Sequence, residues 1–146
     1  MLIYDKAGIV AKVEVAVNAP INKVWDSLIN PKMIRQYMLG ATVISNWKEG
    51  SPIAWKGNYK GKPYEDKGVI LKLQPLTKLQ YTHFSPLSGQ ADIPENYHTV
   101  TIELKSTEKE TIIALEQSNN ESKQAKEESE KNWKMMLENL KKMLEK

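Results

Sequence analysis

Two histidines and several aromatic side chains are the residues of this sequence best suited to chemistry. His83 and His98 are its only histidines, and they fall fifteen positions apart on different predicted strands. An imidazole can move a proton near neutral pH or bind a polar group of a ligand. No third ligand stands at a spacing typical of a metal site, and cysteine is absent, so we expect no metal. The histidines are either ordinary strand residues or part of a ligand pocket.

Other catalytic patterns are missing from the sequence. The acidic candidates for proton transfer lie in or beside predicted turns, where carboxylates usually meet water: Glu65, Asp66, Asp92 and Glu95. Ser85 is not part of a nucleophile-elbow motif, and the glycines match no phosphate-binding loop. We therefore assign no catalytic residue and no cofactor from the sequence.

Composition limits the class of protein and its partners. With 146 residues, 40% hydrophobic and 27% charged, the chain is expected to form one domain, residues 1–146, that buries roughly 70% of its unfolded surface. The net charge of +3 is spread over interspersed Lys and Glu, and Arg35 is the only arginine, so no nucleic acid partner is expected. Residues 1–10 show no leader, and no apolar stretch predicts a membrane span. The lack of cysteine suits a cytoplasmic location.

The pattern of apolar residues predicts a strand, two short helices, six strands and a long final helix. Val13, Val15 and Val17 alternate in the first strand. Pro20 starts one helix, and the pair Asn30-Pro31 ends it and starts a second helix that stops at Gly40. The predicted strands that follow are 42–45, 53–59, 64–74, 79–85, 98–107 and 110–117. A long loop, 86–96, separates the fourth and fifth of these strands, and such loops are often functional or mobile.

The inward stripe of the final helix is tapered. Its C-terminal half is bulky: Trp133, Met136, Leu137, Leu140, Met143 and Leu144. Its N-terminal continuation is small or polar: Ser122, Ala125 and Ser129. A helix with this taper, lying across a sheet, would seal the core at one end and leave space at the other.

The order and spacing of these motifs resemble a known superfamily. The matching features are Ala19-Pro20 with Val24-Trp25, Pro31 at the start of the second helix, the strand GVILKLQP at 68–75 and the run WKMMLENLKKML at 133–144. Together with Glu49-Gly50 and Leu79-Gln80-Tyr81-Thr82 they span residues 10–146. The chain resembles the START-like, birch-pollen-allergen (SRPBCC) superfamily, and within it the bacterial family related to the C-terminal domain of the heat-shock-protein-90 ATPase activator.

That resemblance implies an α+β helix-grip fold, in which a curved antiparallel sheet wraps around the C-terminal helix and the two short helices close one end. Strand alternation then places Tyr81, His83 and His98 on the concave face. The side chains predicted to line a ligand cavity are Tyr37, Met38, Trp55, Tyr81, His83, His98, Ser129, Trp133, Met136 and Leu140. A plain structural core remains the alternative for Trp133, Met136 and Leu140.

Three functions of different class follow from this resemblance. The first is a binding module for a small hydrophobic or aromatic molecule, such as a lipid or polyketide-like aromatic, with a link to the stress response. The second is a chaperone-associated, partner-binding protein, which binding and ATPase assays with the bacterial chaperone would test. The third, a cyclase or dehydratase, predicts that His83→Ala or His98→Ala abolishes turnover without weakening ligand binding. Edge strands and the off-stripe Met135 are compatible with a monomer or a homodimer.

Overall fold

The computed structural model describes residues 8–146, and the expectation that the chain starts without a leader rests largely on residues 1–7, outside that range. Within it, helices and strands follow the predicted order. They are β1 (Ile9–Val17), α1 (Ile21–Ile29), α2 (Pro31–Tyr37), β2 (Thr42–Ser45), β3 (Pro52–Tyr59), β4 (Lys62–Gln74), β5 (Lys78–His83), β6 (His98–Ser106), β7 (Thr111–Asn120) and α3 (Lys123–Leu144).

The described strands form one antiparallel sheet in the order β1-β7-β6-β5-β4-β3-β2. Alternate side chains of each strand point to one face, and the apolar set on that face is buried. On β5 and β6 this set includes Leu79, Tyr81, Val100 and Ile102. The same face is joined by side chains of α1, α2 and α3 in a continuous hydrophobic core.

The two short helices begin and end where their sequence signals predict. Pro31 occupies the first turn of α2, and the Asn30 side chain accepts a hydrogen bond from the Lys32 backbone N–H at 3.0 Å, which satisfies a donor that the helix itself leaves free. Val24, Trp25 and Leu28 bury the inner face of α1. These contacts hold the pair of helices against one end of the sheet.

Helix α3 is attached along the edge strand β1. Glu130 Oε2 accepts from the Lys12 backbone N–H at 2.9 Å, Glu145 Oε2 accepts from that of Asn18 at 2.7 Å, and Lys141 Nζ donates to the Ala16 carbonyl at 2.9 Å. An uncovered edge strand is prone to pair with other chains, and these side chains occupy part of that edge. The architecture is the predicted α+β helix-grip fold.

The segment after β5 differs in detail from the sequence-based prediction. Strand β5 ends at His83, two residues earlier than predicted, and Phe84 forms only an isolated bridge with Lys67. The Ser85 hydroxyl accepts from the Leu87 backbone N–H at 3.2 Å and starts a single 3₁₀ turn. A second 3₁₀ turn, Pro94–Asn96, precedes β6. The predicted loop 86–96 therefore contains two proline-initiated turns.

Candidate functional site

A cavity of about 770 Å³ lies between the concave face of the sheet, the N-terminal half of α3 and the loop after β5. Ala125 and Ser129 line it, which confirms the space that the tapered helix face predicts. Leu87, on the loop, is half-exposed at its mouth. Small-molecule sites typically measure roughly 300–1,000 Å³, so this space could hold a drug-sized molecule.

Aromatic rings from β3, β5 and β6 form one wall. The Trp55 ring lies 5.1 Å from the Tyr81 ring and 5.1 Å from the His83 ring, which it meets edge-on at 66°. His83 and His98 face each other directly across β5 and β6, and their rings stack at 6.4 Å. Tilted and edge-on contacts of this kind stabilise an aromatic cluster beyond the area that it buries. The wall presents flat surfaces against which another ring can stack.

Asp66 also belongs to this wall, and the expectation that this carboxylate, in or beside a predicted turn, meets water is wrong. It lies within β4, directly opposite Trp55 on β3, and its side chain is only 16% exposed. His83 Nε2–H donates to Asp66 Oδ2 at 2.9 Å, while Oδ1 is buried without a hydrogen-bond partner in the described part of the chain. Alternation with the neighbouring Tyr64 is the sequence signal that could have placed Asp66 on the inner face.

His98 is held in a defined orientation. Its Nδ1–H donates to the Ser118 carbonyl at 3.0 Å, because a carbonyl oxygen can only accept. Burial lowers the pKa of His98 below its usual 6.5, with a smaller opposing contribution from that hydrogen bond. The neutral ring therefore leaves Nε2 as an acceptor, which a hydroxyl or amine of a bound molecule can use. His83, oriented by Asp66, can accept a proton or a hydrogen bond in the same space.

The low pKa of His98 predicts a stability loss in mild acid. In the unfolded chain His98 binds a proton near pH 6.5, whereas in the folded chain it does so only at lower pH. The contribution of neutral His98 to the free energy of unfolding is therefore complete above pH 6.5 and is lost as the pH falls through the folded pKa. Urea unfolding at about pH 7.5 and about pH 5.5 should show a smaller stability loss for His98→Gln than for the unsubstituted protein. Equal losses in the two proteins would contradict this assignment.

Polar side chains that the sequence analysis did not select line the far end of the cavity. Trp133 Nε1 donates to Gln117 Oε1 at 2.7 Å, and Asn120 Nδ2 donates to the carbonyls of Gln117 and Ile9, each at 2.8 Å. Asn119 adopts a left-handed backbone conformation with φ +62°. Its amide donates to the carbonyls of Glu95 and Tyr97 at 2.7 and 3.0 Å. Two consecutive asparagines, which form the end of β7, were the available signal, since asparagine tolerates this conformation.

Most of the residues selected from the sequence lie along the cavity. They are Met38, Trp55, Tyr81, His83, His98, Ser129, Trp133 and Met136. Tyr81 is buried, and its pKa is raised by that burial, so its hydroxyl stays protonated and able to donate.

Tyr37 and Leu140 lie in the core and do not line this cavity. Tyr37 is 2% exposed, and its hydroxyl donates to the Ser27 carbonyl at 2.8 Å, joining α2 to α1. Met38 follows directly after the end of α2, where the backbone leaves the helical conformation, and it lies on the cavity side. Leu140 is fully buried one turn beyond Met136, where α3 packs closely on the sheet and short helices.

Residues 8–146 contain no cluster of three metal-binding side chains. In the same range, no helix is both long and apolar enough to cross a membrane. The residues that line the cavity supply aromatic, aliphatic, amide, hydroxyl, imidazole and carboxyl groups.

The fold and this cavity define a helix-grip domain. The family model described as "Activator of Hsp90 ATPase homolog 1-like protein" matches residues 18–145. The chain belongs to this family.

Solved structures share this fold. The solution structure of ChR145 from Cytophaga hutchinsonii shares 54% sequence identity and a TM-score of 0.84, covering 95% of each chain. The Aha1 dimer from Colwellia psychrerythraea is 18% identical with a TM-score of 0.73, covering 93% of this chain and 96% of that one. CalU16 from Micromonospora echinospora is 22% identical with a TM-score of 0.70, covering 88% and 71%. The last two show likeness of fold alone. Among curated proteins, none matches significantly.

Proposed function

We propose that this chain is a single binding domain for a small hydrophobic or aromatic molecule, held between the sheet and the N-terminal half of α3. The cavity of about 770 Å³ carries the proposal. Its walls combine the Trp55, Tyr81 and Trp133 rings with a few oriented polar groups, the mixture by which small-molecule sites gain both burial and orientation. We place this function in the cytoplasm, where a chain without cysteine needs no oxidising surroundings.

The division of α3 supports the proposal. Leu137 and Leu140 are buried in the core, so the C-terminal half of the helix already has its packing partners. Ala125 and Ser129, at the other end, face the cavity with short side chains. A helix whose only task was to close the core would gain stability from bulky residues at these positions, because apolar burial is favourable.

Filling the cavity should abolish binding without unfolding the protein. Ser129→Phe places a ring in the cavity. No hydrogen bond is lost with the serine, because the Ser129 hydroxyl has no hydrogen-bond partner in the described chain. The matched control is Glu127→Phe, on the exposed face of the same helix. In a thermal-shift screen of lipids, flavonoids and polyketide-like aromatics, we expect one chemical class to raise the melting temperature with dose. The rise should persist in Glu127→Phe and disappear in Ser129→Phe.

Two outcomes would contradict the proposed function. One is the absence of a shift with every class in the screen, which would favour a protein partner. The other is an equal shift in Ser129→Phe and Glu127→Phe, which would place the bound molecule outside the cavity. Circular dichroism of both variants establishes that they are folded before binding is compared.

The family assignment favours a second candidate, a chaperone-associated protein that binds and stimulates an Hsp90-type ATPase. The proteins in the family model carry the name of such an activator, and this chain matches the model over residues 18–145. A pull-down and an ATPase assay with the bacterial chaperone test it directly. Binding that survives Ser129→Phe would support a partner surface independent of the cavity.

A further inference from the structure

The charges around the cavity differ in sign from those of the whole chain. The protein has 21 lysines and arginines and a net charge of +3. Among residues 8–146, however, no lysine or arginine lines the cavity, whereas three carboxylates do: Asp66, Glu95 and Glu121. The lining is therefore negative or neutral in a protein that is positive overall.

Asp66 is the carboxylate that matters most, because it lies inside and the other two are exposed. Two lysines that lie close to it in the register of β3 and β4 are paired with other carboxylates. Lys67 is paired with Asp92, and Lys56 lies 3.7 Å from Glu65. Within the described residues, His83 is the only side chain that hydrogen-bonds to Asp66.

The histidines do not supply a positive charge for an anionic ligand. If His83 is protonated, Asp66 neutralises it at 2.9 Å, and the pair carries no net charge. His98 is kept neutral by burial, which lowers its pKa. A carboxylate entering the cavity would lose its hydration without gaining a cationic partner, which is strongly unfavourable.

A cation or a neutral hydrogen-bond donor would instead gain favourable contacts in the cavity. An ammonium group near Asp66 gains Coulomb attraction, which is strong where water is partly excluded. The aromatic faces of Trp55 and Tyr81 lie in the same wall and attract a cation through their ring electrons. A neutral hydroxyl or amine can donate to His98 Nε2, whose other ring nitrogen is already occupied by the Ser118 carbonyl.

We propose that the cavity selects neutral or cationic aromatic molecules that carry an O–H or N–H donor, and that it rejects carboxylates, including fatty acids. This inference rests on the proposed function and names the ligand class for the same site.

A matched set of probes tests this selectivity. Naphthylmethylamine, naphthol and naphthoic acid share one ring system and differ in the charge of one group. Binding is measured at about pH 7.5 by quenching of tryptophan fluorescence and by calorimetry. We expect the amine and the naphthol to bind at least about tenfold more tightly than the acid, since one charge at short range has an effect of this order.

Asp66→Asn identifies the origin of the selectivity. The amide has nearly the same shape as the carboxyl group, and its oxygen can still accept from His83 Nε2–H, so the fold should be retained. We expect the advantage of the amine over the acid to shrink about tenfold. The matched control, Glu65→Gln, removes a charge from the neighbouring exposed residue of the same strand and should leave the advantage unchanged.

The outcomes separate the two proposals. If naphthoic acid binds as tightly as the amine, and binding is still lost in Ser129→Phe, the charge selectivity is wrong and the binding function stands. If Glu65→Gln reduces the advantage as much as Asp66→Asn, the origin assigned to Asp66 is wrong. If none of the three probes binds, the inference is contradicted, and the proposed function then depends on the wider ligand screen.

Discussion

Gly68→Ala is expected to lower the free energy of unfolding by about 3 kcal/mol or more, as overpacking does where the obstacle is backbone. A Cβ at this position would lie 1.7 Å from the Thr82 carbonyl oxygen, on the neighbouring strand β5. The contact cannot be relieved by rotating a side chain, so β4 and β5 must separate. Urea unfolding followed by circular dichroism measures the loss.

The same substitution should also impair the cavity, because β4 carries Asp66 and β5 carries His83. Gly57→Ala provides the comparison. There the new Cβ would lie 2.7 Å from the Tyr64 hydroxyl oxygen and 2.9 Å from two ring carbons, and this partly buried side chain can rotate away. If Gly68→Ala destabilises the protein no more than Gly57→Ala does, the close approach of the two strands is not as the structure describes.

Leu140→Ala is expected to destabilise the protein by about 2–5 kcal/mol while leaving ligand affinity nearly unchanged. Leu140 is fully buried in the core and does not line the cavity. Truncation of this side chain removes packing contacts and leaves a void in the core beneath the C-terminal half of α3. Unfolding free energy and probe affinity are measured on the same preparation, at a temperature where the variant is folded.

Met136→Ala is the matched variant, one turn earlier on the same helix. Met136 lines the cavity and is only partly buried, so its truncation should reduce stability less and change probe affinity more. A Leu140→Ala variant that loses binding in its fully folded state would contradict the division of α3 into a packing half and a cavity half.

This division explains how one helix combines stability with space for a ligand. The C-terminal half is buried in the core through Leu137 and Leu140, and Lys141 and Glu145 attach it to Ala16 of β1 and to Asn18 just after this strand. The N-terminal half presents Ala125 and Ser129 to the cavity. Because separate residues perform the two tasks, substitutions at the cavity end can alter selectivity at a small loss of stability.

The sequence alone determined the order of helices and strands and the position of the cavity. Alternation of Val13, Val15 and Val17 predicted the first strand, and the pair Asn30-Pro31 predicted the break between the short helices. The small residues Ala125 and Ser129 predicted the space beneath α3. Each of these signals is local, because it depends on side-chain size, periodicity or proline geometry within a few residues.

Only the tertiary structure decided which polar groups meet in the cavity. Asp66 reaches His83 because the registers of β3, β4 and β5 bring distant positions together. Tyr37, the last residue of α2, and Met38, just after it, point to different surroundings because of how the end of α2 packs against its neighbours, and Leu140 is buried because of where α3 meets the core. Register and helix rotation arise from contacts between residues far apart in the chain, so a local pattern cannot specify them.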